Sequence, residues 1–565
     1  MTTQLKPTSS VHSLSSAAGA DARLASMGYE AQLKRNLGMM TILGLSFSIM
    51  AAPFGLSTAF SIALTCGGPV TILWGWALVS LISLCMAASL AEISSQFPSS
   101  GGVYVWAAFI STPKWAPLTS WIVGWVSLVA NWTLCLSINF GGAQLIMASI
   151  SIFRDDAWAP APWQTILCFW ACMLVAALIN VWGVRGGYLE LLNTLAFYWT
   201  FASVLIILVT LLAMAKDGRR DAGFVFGGWE NSSGWPDGWA FFVGLLQAAY
   251  TLTGYGTVAS LSEEVNHPEE QVPRAIVWSV VAASITGFFY LIPILFVLTP
   301  DFSELLATAA GQPIPVLFHL ATGSAGGGFA LTFLILGVFA FAGIGSLTVA
   351  LRCTWAFSRD GAIPGSRWWS RVNKQLDLPL NALILSTVVI SLLGLIYLGS
   401  TAAFSAFTGV ATICLSISYG IPIAISMFRG RRVLLDAPYS LGRFGYAING
   451  ITFAWIVLAT ILFCMPTTKQ VTAPTMNYAS VVFSFFFVCS AAWWALWGRR
   501  FYVGPVGASE IAAVQPNALS AGAAADGRTG SGGGVGVVVD AEKPRSSDGE
   551  SAGREKEKDA VGVAA

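Results

Sequence analysis

The chain is 565 residues long, 55% hydrophobic and only 10% charged, with a formal net charge of +1. Soluble domains carry about 25% charged residues, so this composition cannot cover a soluble surface, and the mean hydropathy is +0.70. The balanced charge makes no electrostatic case for nucleic acid or an acidic partner. The three histidines (His12, His267, His319) are far apart, and the nine cysteines contain no CxxC pair. That pattern argues against a metal centre and against a disulfide framework.

Residues 1–36 are polar and rich in Ser, Ala and Thr. They lack the short apolar core of a cleavable signal and are expected to form a disordered cytoplasmic tail. From residue 37 the chain becomes a series of apolar segments. A helix of about 20 residues crosses a ~30 Å hydrocarbon core. About twelve segments meet that length: 37–63, 69–96, 117–151, 162–183, 190–215, 239–262, 274–298, 328–356, 381–398, 401–427, 444–465 and 477–497. They define an all-α polytopic membrane domain over 37–500. Residues 503–565 are Gly-, Ala- and Ser-rich and then charged, and read as a second disordered cytoplasmic tail. Lys and Arg favour one set of loops by roughly three to one, which puts both termini inside. The cluster from Lys216 to Arg220 opposes that bias, with Asp217 and Asp221 beside it. Asn231-Ser232-Ser233 is a glycosylation acceptor sequence in a loop expected outside.

Two segments carry helix breakers near their centres. The first reads GLSFSIMAAPFGLSTAFSIAL, with Pro53 and Gly55; the sixth reads YTLTGYGTVASL, with Gly254 and Gly256. Proline lacks the backbone donor, and glycine costs a helix about 1 kcal/mol against alanine. Unwound backbone inside a membrane is tolerated where it lines a cavity, where amide groups face an anion and freed carbonyls a cation. A zwitterion such as an amino acid uses both. Glycine and proline also serve close packing of membrane helices. Breaks in the first and sixth segments occupy corresponding positions if spans one to five and six to ten are repeats, which is the signature of an inverted-repeat transporter.

Six motifs carry a family resemblance: GGPVTILWGW (67–76), SLAEISSQFPSSGGVYVWAA (89–108), SWIVGW (120–125), NVWGVRGGYLELLN (180–193), TGYGTVASLSEEVNHPEEQVPRAI (253–276) and AFSRDGAIP (356–364). In order and spacing they resemble the fungal-type permeases of the amino acid–polyamine–organocation superfamily, nearest the subgroup that takes GABA, choline and other amines. The resemblance implies a leucine-transporter-type core of five plus five inverted-repeat helices, followed by two C-terminal helices. It implies a substrate site at the two breaks, framed by Ala52, Pro53, Phe54, Gly55 and Leu56 on one side and Thr253, Gly254, Tyr255 and Gly256 on the other. It also implies a proton as coupling ion and the plasma membrane as location. Relatives often carry Asp and His where this chain has Gly256 and Ser260, which weakens a simple choline or polyamine assignment. Members that use sodium place hydroxyls on the eighth span, where Ser346 and Thr348 stand.

Three carboxylates are candidates for coupling or gating. Glu92 lies within the second apolar segment, where a charge costs about 2.5–3.5 kcal/mol at mid-helix; it is either a proton-coupling group or a helix-end gate. Glu263 and Glu264 close the sixth segment, where a carboxylate opposes the helix dipole and calls for a cationic partner. Arg274 and Arg359 are the candidates by topology. The expected function is secondary active import of amino acids or related, GABA-like amines by alternating access, with no cofactor and no metal. A choline or polyamine permease and a non-transporting nutrient sensor are the alternatives. No GxxxxGK[ST] motif is present, which disfavours ATP-driven transport, and the few ionisable residues at depth argue against an enzyme.

Overall fold

The computed structural model describes Leu24 and residues 37–154, 158–186, 188–215, 218–299, 302–306, 311–373, 375–376, 378–399, 403–434, 437–472 and 476–506. All belong to one compact unit, Met1–Gln515. The two expected tails lie almost entirely outside the described residues, as do Lys216 and Asp217 of the cluster that opposed the charge bias.

Among the described residues the fold is all-helical. Eleven helices are long and apolar enough to cross a membrane: span one, Met39–Thr58; two, Gly68–Gln96; three, Ala116–Ser151; four, Pro162–Gly183; five, Leu191–Met214; seven, Pro268–Phe296; eight, Ala325–Arg359; nine, Leu380–Leu398; ten, Phe404–Phe428; eleven, Gly442–Leu462; and twelve, Ala479–Phe501. The sixth expected segment is present, but it is split into Asp237–Gly244, Leu246–Thr251 and Tyr255–Glu264. No uninterrupted helix of spanning length forms there.

Burial sorts the spans into an interior and a shell. The apolar windows of spans one and three are each 83% buried, whereas that of span twelve is 11% buried. Span seven lies along span two, and span three lies against spans eight and ten. Two and seven occupy corresponding places in a five-plus-five repeat, as do three and eight. Small residues bring these helices together, as is usual where no water drives association. Trp76 of span two lies on Gly287 of span seven, where a Cβ would stand 2.2 Å from its indole ring. The Trp76 indole N–H donates to the Ser284 carbonyl at 2.9 Å.

The first interruption falls earlier than the sequence suggests. The helix from Met39 ends at Met50, Ala51 turns left-handed at φ 42°, and a new helix runs Ala52–Thr58. Pro53 and Gly55 are therefore inside the second piece. Proline is well placed in a first turn, because its missing N–H has no intrahelical partner there anyway. It starts the second helix, and Ala51 takes the strained turn. In segment six the helix stops at Thr251, Gly254 adopts φ 101°, and the ten residues Tyr255–Glu264 wind as a 3₁₀ helix. Such helices seldom exceed three or four residues. The positive φ at Gly254 is one that only glycine adopts without penalty.

The Trp76–Gly287 contact makes the seam between spans two and seven sensitive to volume. Gly287→Val should destabilise the protein by about 1–3 kcal/mol, the cost of overpacking a close contact. A melting curve in detergent reads this as a lowered Tm, with Gly450→Val as the comparison, because a Cβ at Gly450 meets nothing within 4 Å.

Candidate functional site

The two interruptions lie against each other. A Cβ on Gly254 would stand 3.1 Å from Ile49 Cγ2, and one on Gly55 would stand 2.8 Å from Thr251 Oγ1. The Gln247 side chain donates to the Leu56 carbonyl at 2.9 Å, which ties segment six to the second half of span one. All nine residues expected to frame the site, Ala52 to Leu56 and Thr253 to Gly256, are buried. Hydroxyls satisfy carbonyls around the breaks. Ser57 donates to the Pro53 carbonyl at 2.6 Å, Thr257 to that of Gly254 at 2.5 Å, and Thr253 to that of Ala249. Phe54 stacks on Phe339 of span eight at 5.4 Å between ring centroids. Gly256 leaves no room for a side chain: a Cβ there would stand 2.8 Å from the ring of Tyr419 on span ten. A tyrosine fills the space that an acidic side chain at 256 would need. Ser346 and Thr348 are engaged, the first with the Gly343 carbonyl at 3.0 Å and the second with Asn180 Oδ1 at 2.6 Å.

Below the break, the 3₁₀ helix ends in two buried ion pairs. Arg359 grips Glu263 with two parallel bonds of 3.1 Å, and Glu263 Oε1 also accepts from the Ser100 amide at 3.3 Å. The Glu263 amide in turn donates to Ser100 Oγ at 3.2 Å. The guanidinium sits 4.7 Å above the Trp355 ring, and Asp360 Oδ1 is 4.0 Å from its Nε. Tyr104 donates to Asp360 at 2.8 Å. Glu264 pairs with Arg352 at 3.0 Å. Arg274, the other candidate partner, reaches Glu270 at 3.4 Å instead. The backbone completes the closure: the Leu37 amide donates to the Glu264 carbonyl at 2.9 Å, and the Asn266 amide to that of Leu37 at 3.2 Å. Segment six, the start of span one, the end of span eight and the loop after span two therefore meet at one point.

Glu92 belongs to a separate cluster. Its two oxygens lie 2.6 and 2.7 Å from Arg431 Nη2, and Oε1 also accepts from the Leu441 amide at 2.9 Å. Arg431 holds a left-handed turn at φ 56° and faces the Tyr446 ring at 5.7 Å. Ser95 accepts from the Tyr439 amide at 3.3 Å. Burial, and then the neighbouring Glu92 carboxylate, push the Tyr439 phenol above its ordinary range. This cluster clamps the connection between spans ten and eleven onto span two.

The opposite end is closed by backbone. Gly67 donates to the Glu230 carbonyl at 3.1 Å, Ser232 to that of Thr65 at 3.0 Å, and Lys469 to that of Ser233 at 2.8 Å. Asn231 donates its side-chain amide to the Trp235 carbonyl at 2.7 Å and to Asp237 at 2.9 Å. Cys66 is buried in this seam, and burial pushes its thiol up to about 12.

Sequence reasoning missed Arg352 and Arg431 as partners, and Tyr419 altogether. Arg352 had a signal, being a cation inside an apolar segment. Tyr419 had none, because the facing of a residue on a uniformly apolar helix cannot be read from composition. Arg431 stands after span ten among three other arginines, Arg429, Arg432 and Arg443, and only the fold reveals which of them meets Glu92.

The family model described as amino acid permease matches residues 37–486. The amino-acid permease BAT1 of Arabidopsis thaliana is 32% identical over 498 residues, covering 86% of this chain and 96% of that protein. The polyamine transporter TPO5 of Saccharomyces cerevisiae is 33% identical, over 86% of this chain and 78% of its own. The choline transporter of the same yeast is 30% identical, over 83% of each. Among solved structures, MhsT in complex with L-phenylalanine shares the fold, with a TM-score of 0.51 at 17% identity, over 74% of this chain and 97% of that one.

Breaking a buried ion pair leaves an uncompensated charge and costs about 3–5 kcal/mol. Glu263→Gln and Arg359→Gln should each lower the melting temperature, while the exchange Glu263→Arg with Arg359→Glu recovers part of the loss. A double-mutant cycle should return a coupling energy of about 1 kcal/mol or more; an additive result would show that the two groups do not act together.

Proposed function

The chain belongs to the amino acid permease family, a family of transporters and not of enzymes, and from that premise we propose that it imports amino acids or related amines, GABA among them, by alternating access coupled to a proton. The observation that carries this reading is the meeting of two interrupted helices, at Ala51 and at Gly254, inside a bundle closed at both ends. Backbone near such breaks can serve both charges of a zwitterion, and rocking of one group of helices around the break exposes it to either side. In this reading Ala52 to Leu56 and Thr253 to Gly256 hold the ammonium and carboxylate of the substrate. Glu263 and Glu264, with Arg359 and Arg352, form the gate that parts on the cytoplasmic side. The membrane is the plasma membrane, and both termini face the cytoplasm.

The pairing of Glu92 supports a gate-side clamp over a proton carrier. Both of its oxygens face Arg431, and a carboxylate so held gives up its charge only at the expense of a buried cation. The likeness to a yeast polyamine transporter and a yeast choline transporter, together with the paired rings of Tyr255 and Tyr419 at 5.7 Å, favours a second reading in which the substrate is a cationic amine.

Uptake of labelled GABA in cells stripped of their own permeases tests the function, with amino acids, choline and putrescine as competitors at two external pH values. Uptake that amino acids block and that rises at acid pH supports the proposal. Entry of choline or putrescine alone moves it to the amine reading. Absence of any flux, with protein at the surface, favours a sensor. Glu92→Gln should lower the amount of folded protein at the membrane, while the remaining transport keeps its response to pH. Loss of that response at normal surface abundance would make Glu92 the proton carrier.

A further inference from the structure

Span twelve has the least buried apolar window of the spans, and it does not lie flush against its neighbours. A groove of about 130 Å³ runs between it and spans three and ten. Its walls include Trp121 and Trp125 of span three, Cys414 of span ten, and Phe483, Phe487 and Trp494 of span twelve. Apart from Ser490, every residue on the walls is apolar. Along span three the groove extends from Leu118 to Val129, a rise of about 16 Å in an α-helix. That is about half of a ~30 Å hydrocarbon core, the depth of one leaflet. A gap left empty forfeits dispersion contacts along its whole lining, and at this depth what fills it is hydrocarbon.

The mouth of the groove is built differently. Trp494 and Tyr502 each close on Trp121 at 5.1 Å between ring centroids, and the Tyr502 hydroxyl is 2.9 Å from Ser120 Oγ. From Trp494 to Gly498 the helix widens into a single π turn, a rare form that is frequent at functional sites. Gly498 lies on Trp121, where a Cβ would stand 2.9 Å from the ring. Arg499 and Arg500 follow at once, and both are exposed. Lys114 is exposed as well, close before Pro117, whose Cα lies 3.6 Å from the place of a Cβ on Gly504. Among the described residues no carboxylate pairs with these three cations. Asp360, at the end of span eight, is fully buried and accepts from Tyr104. Lipid tails are as apolar as the groove, so a chain gains no hydrophobic energy by entering it. The choice of lipid falls to the head group. Arginine meets phosphate through charge-assisted, paired bonds, and anionic lipids concentrate in the cytoplasmic leaflet. We propose that the groove and its mouth bind one anionic phospholipid of that leaflet, with an acyl chain between spans three, ten and twelve and the phosphate at Arg499 and Arg500. The lipid pins span twelve to the two spans whose Leu134 and Tyr419 wall the break at Gly254 and Gly256.

The test uses the full chain purified in detergent. Dioleoyl phosphatidylserine, dioleoyl phosphatidylglycerol and dioleoyl phosphatidylcholine are added singly, and native mass spectrometry and the melting temperature are read. The two anionic lipids should stay bound at one per chain and raise Tm. Their affinity should exceed that of phosphatidylcholine, whose choline adds a cation beside the arginines, about tenfold, the value of one hydrogen bond to a charged group. Arg499→Gln with Arg500→Gln should abolish that preference. Arg367→Gln with Arg371→Gln takes the same charge from the loop after span eight and should keep it. Ala491→Phe fills the groove from span twelve and should weaken all three lipids while the chain alone melts as before. A folded Arg499→Gln, Arg500→Gln chain that keeps the preference overturns the proposal, as does an equal loss in the two arginine pairs. A shift in Tm matched by inorganic phosphate shows that the groove takes no part and overturns it too. So does cholesterol bound in place of phospholipid and lost only in Ala491→Phe, which makes the groove a sterol site. A dimer in the mass spectrum that Ala491→Phe dissolves makes it an interface between copies, and the lipid site fails.

Discussion

A peptide group left without a hydrogen-bond partner inside a bilayer costs several kcal/mol, and this chain interrupts its helices at two places within its apolar segments. Most of the architecture follows from that constraint. The two interruptions must be walled in by protein, and the spans nearest them, one, three and eight, are the most deeply buried apart from span ten. Hydroxyl side chains on the broken helices then accept the work of pairing, with Ser57, Thr253 and Thr257 each donating to a carbonyl near a break. The outer spans, four, five, nine and twelve, need only be apolar, and their windows are at most 33% buried.

The charged residues obey the same economy. Glu92, Glu263 and Glu264 all lie where a lone charge would be costly, and each faces a guanidinium. Arginine suits that place, because its planar fork meets both oxygens of a carboxylate and sheds water more readily than an ammonium. These contacts all join elements that are distant in sequence. Glu92 and Arg431 are 339 residues apart, and Glu263 and Arg359 are 96 apart. They are weak evidence for stability, since apolar packing can serve as well.

Much of the fold could be read from the chain, because a span is recorded in one dimension. Twenty apolar residues bounded by polar ones mark a crossing whatever surrounds them: eleven of the twelve expected segments correspond to helices of spanning length, and the sixth is present in pieces. The breaks were legible as well, since Gly254 must take a positive φ and Pro53 must begin a helix. The location of the first was not: it falls on Ala51, an ordinary helix former, because the proline two residues later is content in a first turn. Partners were the least legible feature. Arg359 was within reach by topology, but Arg431 was not, and neither was Tyr419. Its ring takes the place a side chain at Gly256 would occupy, which only three-dimensional packing reveals.

The ten residues from Tyr255 to Glu264 are wound more tightly than an α-helix. A 3₁₀ helix rises about 2.0 Å per residue and an α-helix about 1.5 Å, so the same stretch in α form would be about 5 Å shorter. Its ends would also turn relative to each other by about half a revolution. One end of this rod is Gly254, at the break; the other is the Glu263–Glu264 pair, bound to two arginines. Winding and length are therefore coupled in this segment: the tight winding sets how far the two carboxylates stand from the break at Gly254, and the bonds from Leu37 to Glu264 and from Asn266 to Leu37 tie that far end to the start of span one.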